Sequence, residues 1–188
     1  MSKVSVILNT YRRPQTLKKQ YEAVTTQSVV PTEVLLWKNH PEDDTEFDFK
    51  GIDGVAIAQN NANYGVWARF AFALNTCSDY ICVFDDDTIP GKNWFRNCIH
   101  CIENENQGLY GTNGVTFNDL EYNSYEQHGW AKPNEETQQV DIVGHSWFFH
   151  RDMLSAFWRD LPPKDYIPIV GEDIHFAHMV QKYAGKGT

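Results

Sequence analysis

Tyr80-Ile81-Cys82-Val83-Phe84-Asp85-Asp86-Asp87-Thr88-Ile89-Pro90-Gly91 is the stretch on which the fold turns. Its first five residues are apolar, β-branched or aromatic, without polar alternation and too few for a helix. Such a run reads as a strand covered on both faces, which is the habit of parallel sheets. Val4–Asn9, Val34–Trp37 and the shorter Val55–Ala58 read the same way. Helical patterns lie between and after these strands. Pro14 suits a first helical turn, with Leu17, Tyr21 and Val24 following on one face. The segment from Trp67 to Thr76 is helical and apolar nearly all round, so it is expected to be covered on both sides. Asn93 can cap a helix whose inner face carries Phe95, Cys98, Ile99 and Ile102. Leu109–Phe117 and Val140–Phe149 read as further strands, separated by the polar, aperiodic stretch Asn118–Glu136. A last helix from about Asp173 has Phe176, Met179, Val180 and Tyr183 on one stripe. The expectation is an α/β fold with a mainly parallel central sheet flanked by helices. Ligands of such sheets bind beyond the carboxyl ends of the strands. That rule selects Asn9-Thr10-Tyr11, Lys38-Asn39-His40, Asp85-Asp86-Asp87 and the neighbourhood of Gly144.

The 188 residues suit one domain spanning 1–188, and 41% apolar residues give it a core. Sixteen basic against 25 acidic residues leave a formal charge of −9, the wrong sign for holding a nucleic-acid backbone. No apolar run is long enough for a membrane span and no basic amphipathic helix is evident. Met1-Ser2-Lys3 leads straight into a strand rather than a leader, so a cytoplasmic location is expected. Cys77, Cys82, Cys98 and Cys101 then read as reduced, buried thiols.

Three adjacent carboxylates repel one another unless a cation compensates. Alternate residues leaving a strand point the same way, so Asp85 and Asp87 can share one divalent ion while Asp86 points elsewhere. Carboxylate oxygens favour Mg²⁺ or Mn²⁺, which commonly also bind substrate phosphates. A solvated acidic turn is the plain alternative. Two chemistries use a strand ending in Asp-x-Asp. One is phosphoryl transfer of the haloacid-dehalogenase type, with Asp85 as nucleophile. That pattern wants Thr or Val where Ile89 stands and usually lies on the first strand, not the fourth. The other is glycosyl transfer from a nucleotide sugar, with the metal against the diphosphate. No phosphate-loop or dinucleotide fingerprint is present to favour a kinase or dehydrogenase.

Five segments in order resemble the GT-A glycosyltransferases of family 2. Val4–Leu8 followed by Asn9-Thr10-Tyr11-Arg12-Arg13-Pro14 resembles that group's opening strand and Thr-Tyr-x-Arg-Pro loop. Asn63-Tyr64-Gly65 with Ala68-Arg69 resembles its Asn-x-Gly…Ala-Arg segment, sixteen residues ahead of Asp85. Gly144–Phe149 with Arg151, and Gly171-Glu172-Asp173, resemble the later strand and the Glu-Asp motif at a helix start. The resemblance implies a nucleotide-binding half over 1–90 and a sugar and acceptor half over 91–188. It implies a nucleoside-diphosphate sugar donor, UDP favoured, and a carbohydrate or glycoprotein acceptor. Thr10, Tyr11 and Arg13 would border base and ribose, and Asn39 and Asn63 would complete the donor site. Arg69 would pair with the diphosphate or with Asp85, Asp86 would accept from sugar hydroxyls, and Asp85 with Asp87 would hold Mn²⁺ or Mg²⁺. Gly144, His145 and Trp147 would lie near the sugar. Asp173, beside Glu172, would be the base of an inverting displacement, though Asp is also a favoured helix cap. Tyr64, Trp67, Phe70 and Phe72 read as core rather than a stacking platform, and His175 and His178 as packing or solvent-facing residues.

The chain departs from the pattern where Lys38-Asn39-His40 replaces an acidic pair that reads the base, which leaves uridine and thymidine donors both open. No Gln-x-x-Arg-Trp follows the last helix, which argues against a processive synthase. The sequence stops soon after that helix, so a longer polypeptide with a further metal ligand is an expectation too. Absence of an anchor is compatible with a large-DNA-virus enzyme that glycosylates capsid protein. A catalytically inactive nucleotide-sugar-binding domain remains the alternative from another class.

Overall fold

A computed structural model describes residues 3–41, 43, 45–105, 107–162 and 169–188. Its main sheet has the order β3-β2-β1-β4-β8, built from β1 (Val4–Thr10), β2 (Glu33–Lys38), β3 (Ala56–Gln59), β4 (Tyr80–Phe84) and β8 (Ser146–His150). β1 runs parallel to β2 and β4, and β2 parallel to β3, while β8 returns antiparallel with Ser146 opposite Phe84. The expected mainly parallel sheet is therefore present. Because β8 starts where β4 ends, the residue before β8 shares an edge with the acidic triplet.

Successive strand residues face opposite sides, and both sides are dry. Val4, Val6, Leu8, Cys82, Phe84 and Phe148 pack with α1 (Pro14–Thr25) and α3 (Trp94–Asn104). Ile7, Ile81, Val83, Trp147 and Phe149 face the other way, onto α2 (Ala68–Phe72), α4 (Met153–Phe157) and α5 (Glu172–Met179). Phe70, Phe157 and Phe176 join there at centroid separations of 4.8–5.6 Å, in stacked and edge-on pairs. A second, antiparallel sheet, β6-β5-β7, comprises β5 (Asn113–Phe117), β6 (Tyr125–His128) and β7 (Ile142–Gly144).

Several expectations need correcting. Val140–Phe149 is two strands in two sheets, because His145 at φ 62° turns the chain between β7 and β8. Leu109–Phe117 is strand only from Asn113. A Cβ on Gly111 would come within 2.7 Å of Val143 Cβ, and Tyr110 makes just an isolated bridge to Phe148. The aperiodic Asn118–Glu136 contains β6. The Trp67–Thr76 segment is a short helix passing into a 3₁₀ turn with Leu74 half in solvent, so only one side is covered. Asn93 stands at the start of α3 but forms no side-chain cap. Gln27 Oε1 instead accepts from Phe95 N at 3.3 Å. All four cysteines are free, and Cys77 is exposed rather than buried. Burial pushes the Cys82 and Cys98 thiols well up, so both remain neutral packing groups. No helix among the described residues is long and apolar enough to cross a membrane.

Candidate active site

The carboxyl ends of β1, β2 and β4 meet at one edge, as parallel pairing requires. Beyond β1, buried Thr10 carries the carbonyl that accepts from Asn39 N at 2.9 Å. Asn39 Nδ2 donates to Asn63 Oδ1 at 2.6 Å, Asn39 Oδ1 accepts from Tyr64 N at 3.0 Å, and Asn63 Nδ2 donates to the Tyr11 hydroxyl at 3.1 Å. Thr10, Tyr11, Asn39 and Asn63 thus form one knot. Asn39 engages its amide within the protein and shapes the loop. Tyr64, expected in the core, is 52% exposed and edge-on to Trp37.

The acidic triplet is held from below by α1. Gln20 Nε2 donates to the carbonyls of Asp85 and Thr88 at 2.6 Å each, and the Thr16 hydroxyl donates to the Asp86 carbonyl. The side chains diverge as strand alternation requires. Arg13, expected beside base and ribose, bridges Asp86 Oδ1 at 2.8 Å and Asp87 Oδ2 at 2.7 Å. Burial pushes the Asp86 carboxyl up, with Arg13 pulling it back. Asp85 turns inward to Arg69, whose Nη2 reaches Glu172 Oε1 at 2.7 Å and whose guanidinium lies 4.6 Å from the Trp147 ring centre. Arg69 is buried between these partners. Burial raises the Glu172 carboxyl to about 7 against the pull of Arg69.

His145 completes the edge. Its carbonyl accepts from Asp85 N at 3.0 Å, and its Nδ1 lies 3.9 Å from both Asp85 Oδ2 and Asp87 Oδ1. Ligand atoms of Asp85, Asp87 and His145 all lie within 4.8 Å of one another. A left-handed backbone at a non-glycine residue costs on the order of 1–3 kcal/mol and persists where surroundings impose it. Here it aims an imidazole at two carboxylates. Two oxygens and one nitrogen are a donor set that suits Mn²⁺ or a related divalent ion. Among the described residues, five carboxylates (Asp85, Asp86, Asp87, Glu172, Asp173) meet two guanidiniums at this edge, an excess that a divalent cation would offset.

Asp173 sits on the first turn of α5, after Gly171 at φ 88°. One of its oxygens accepts from Ile174 N at 2.8 Å, and burial pushes its carboxyl up. It opens, with Asp85, Gly144, His145 and Trp147, into a cavity of about 240 Å³. Its far wall is the β5–β6 hairpin, including Phe117 and Tyr125. Much of that wall comes from the Asn118–Glu136 stretch, in which Tyr122, Tyr125 and Trp130 stand out among polar residues. His175 packs against Trp67 and Phe157 and donates from Nε2 to the Phe157 carbonyl at 2.8 Å, while His178 is exposed, so neither joins the site.

A family model described as glycosyl transferase family 2 matches residues 5–161. No curated protein sequence matches the chain significantly. Among solved structures, S. aureus TarS is 16% identical with a TM-score of 0.61 over 94% of this chain and 33% of its own. A TarS 1–349 structure gives 16% identity and a TM-score of 0.60 over 94% of this chain and 54% of that one. GalNAc-T7, solved with UDP, GalNAc and Mn²⁺, is 11% identical with a TM-score of 0.72 over all of this chain and 41% of its own. This chain thus spans about a third to just over half of those proteins, and at such identities the likeness is one of fold.

Proposed function

Because the chain belongs to glycosyl transferase family 2 and has the GT-A fold, we propose that it transfers a sugar from a nucleoside-diphosphate donor, UDP-linked, to a hydroxyl acceptor. The observation that carries this reading is the convergence of Asp85, Asp87 and a strained His145 beside the cavity holding Asp173. Tyr11 offers a ring face for the base, and Thr10 and Asn63 border it. Arg13 and Arg69 fix the carboxylates that face the diphosphate. A divalent cation held by Asp85, Asp87 and His145 supplies, when bound, neutralisation of charge on the departing diphosphate. The acceptor oxygen bonds to the anomeric carbon as the bond to the diphosphate breaks. The bond's electrons leave with the nucleotide and the acceptor proton passes to Asp173. A single base opposite the leaving group inverts the anomeric centre. The family match supports this reading over the phosphatase alternative with Asp85 as nucleophile.

Thermal unfolding with UDP, with and without Mn²⁺, tests the proposal, because a ligand of the folded state raises the melting temperature. The pair should raise it in the parent protein and fail to do so in Asp87→Ala, whose affinity should fall at least tenfold. An equal response in both would remove the metal site. His145→Gly separates strain from ligation. It should leave stability unchanged or raise it by about 1 kcal/mol through relief of the left-handed backbone. Mn²⁺ affinity by calorimetry should fall at least about tenfold, since even outer partners of a metal ligand are worth that much. Unchanged Mn²⁺ affinity would take His145 out of the ligand set.

A further inference from the structure

The hairpin of β5 and β6 has two faces and divides two cavities. In its register Val115 opposes Gln127 and Phe117 opposes Tyr125, and these two pairs line the cavity that contains Asp173. The neighbouring pair Gly114 and His128, one register step before Val115 and Gln127, lines a separate, larger cavity of about 1230 Å³ behind the hairpin. Period-two alternation therefore sends one set of side chains toward the candidate base. Phe117 lies 6.2 Å, centroid to centroid, from both Tyr122 and Tyr125, and Trp130 stands edge-on to His145 at 5.6 Å. Tyr122, Tyr125 and Trp130 are 67, 38 and 43% exposed, a run of rings open to solvent around a cleft rather than a core.

Charge narrows what these rings receive. Asp85, Glu172, Asp173 and His145 line the cavity, and among the described residues no lysine or arginine does. Arg69 is engaged by Asp85 and Glu172, and the cation read at Asp85, Asp87 and His145 serves the diphosphate, so an anionic acceptor would face the Asp173 carboxylate uncompensated. An extended peptide brings backbone N–H and C=O groups that each require a partner on burial, whereas the wall offers rings and one side-chain amide, Gln127. At about 240 Å³ the space is also below the usual range for drug-sized ligands.

Resting on the glycosyltransferase reading above, we propose that this wall is the acceptor subsite and that the acceptor is a neutral pyranose. Its C–H face lies on the rings of Phe117, Tyr125 and Trp130, and its hydroxyls meet the Gln127 amide and the Asp173 carboxylate. Ring C–H groups carry a partial positive charge that suits the negative face of an aromatic ring. Hydroxyls suit the amide and carboxylate at the rim. The subsite thus selects uncharged sugars by stacking and rejects uronates and sugar phosphates by repulsion.

Saturation-transfer NMR on the whole chain, with Mg²⁺ and UDP present, tests this. The probes are the methyl β-glycosides of glucose, galactose and N-acetylglucosamine, methyl β-glucuronide, and a neutral, end-blocked Ser/Thr peptide. At least one neutral glycoside should receive saturation at its ring C–H protons, and the glucuronide and peptide should not. Tyr125→Ala should weaken that glycoside at least tenfold, Tyr125→Phe should retain it because the ring is kept, and UDP·Mg²⁺ affinity should be the same in both variants. If the glucuronide or the peptide binds better, or if Tyr125→Ala binds the glycoside as the parent does, the proposal is overturned. If UDP·Mg²⁺ binds and no neutral glycoside does, the acceptor inference alone falls. If UDP·Mg²⁺ itself fails to bind the parent protein, the functional reading beneath it falls.

Discussion

Arg69→Met is expected to destabilise the fold by roughly 3–5 kcal/mol, the usual cost of stranding a buried charge by removing its partner. Methionine replaces the volume, and it can still lie on Trp147. It cannot reach both Asp85 and Glu172, which Arg69 joins across the end of β4 and the start of α5. Native stability is commonly about 5–15 kcal/mol, so a loss of this size shifts denaturant midpoints plainly. Adding Glu172→Gln should recover part of the loss, because one stranded carboxylate is then neutral. A double-mutant cycle in urea gives that coupling. The sign with pH follows from burial. The Glu172 carboxyl is raised to about 7 in the folded protein, above its unfolded value, so the folded state holds the extra proton between the two. Stability contributed by this group is present in acid and falls as pH rises through about 7. Glu172→Gln should flatten that decline, and Arg69→Met should carry it to higher pH. A buried ion pair that adds little net stability still sets geometry: Arg69 ties the metal-side carboxylate to the helix carrying the candidate base. A variant as stable as the parent at neutral pH would show the carboxylates finding water instead.

The main sheet was legible because its strands are short, apolar on both faces and separated by helical periodicity. Val4–Leu8, Val34–Trp37 and Tyr80–Phe84 carry that signal without polar interruption. In the small sheet β5 and β7 were legible within longer expected strands, and β6 was not, for a physical reason. Tyr125–His128 is an edge strand with both faces wet, Gly129 sits against the Thr112 carbonyl, and Gly114 sits against the Val140 side chain. The β7–β8 break was hidden too, since nothing in Ile142–Phe149 announces that His145 takes a left-handed backbone that glycine would adopt more readily.

The candidate site divides along the same line. Asp85, Asp87 and Arg69 were visible because carboxylates after an apolar strand, or an arginine among apolar residues, demand a partner, and Glu172 and Asp173 through their resemblance to a Glu-Asp motif at a helix start. That Arg69 also reaches Glu172, 103 positions away, was not visible, because it depends on packing between α2 and α5. Arg13 bridging two aspartates, and Thr16 with Gln20 pinning the triplet's backbone, also arise from where α1 settles on the sheet.

Asp173→Asn should leave UDP·Mn²⁺ binding within about threefold of the parent and lower sugar transfer by roughly 10²–10⁴-fold, the range expected when a general base is lost. Asparagine keeps an oxygen to accept from Ile174 N, so the first turn of α5 retains its local bond and the binding edge at Asp85 and Asp87 is untouched. It cannot take a proton from the acceptor. The pH profile supplies the second arm. Burial raises the Asp173 carboxyl, while the Ile174 N–H and the helix N-terminus pull it down. The base works only when ionised, so transfer by the parent should fall as pH drops through that raised value, above the ordinary aspartate range. The residual rate of the asparagine variant should lack this acid limb. A merely structural Asp173 would produce the opposite pair of results: near-normal turnover in Asp173→Asn and an acid limb unchanged by the substitution. Intact binding with no measurable transfer in either protein would point to the inactive sugar-binding alternative. Binding and turnover, measured on the same two proteins, therefore separate the three readings.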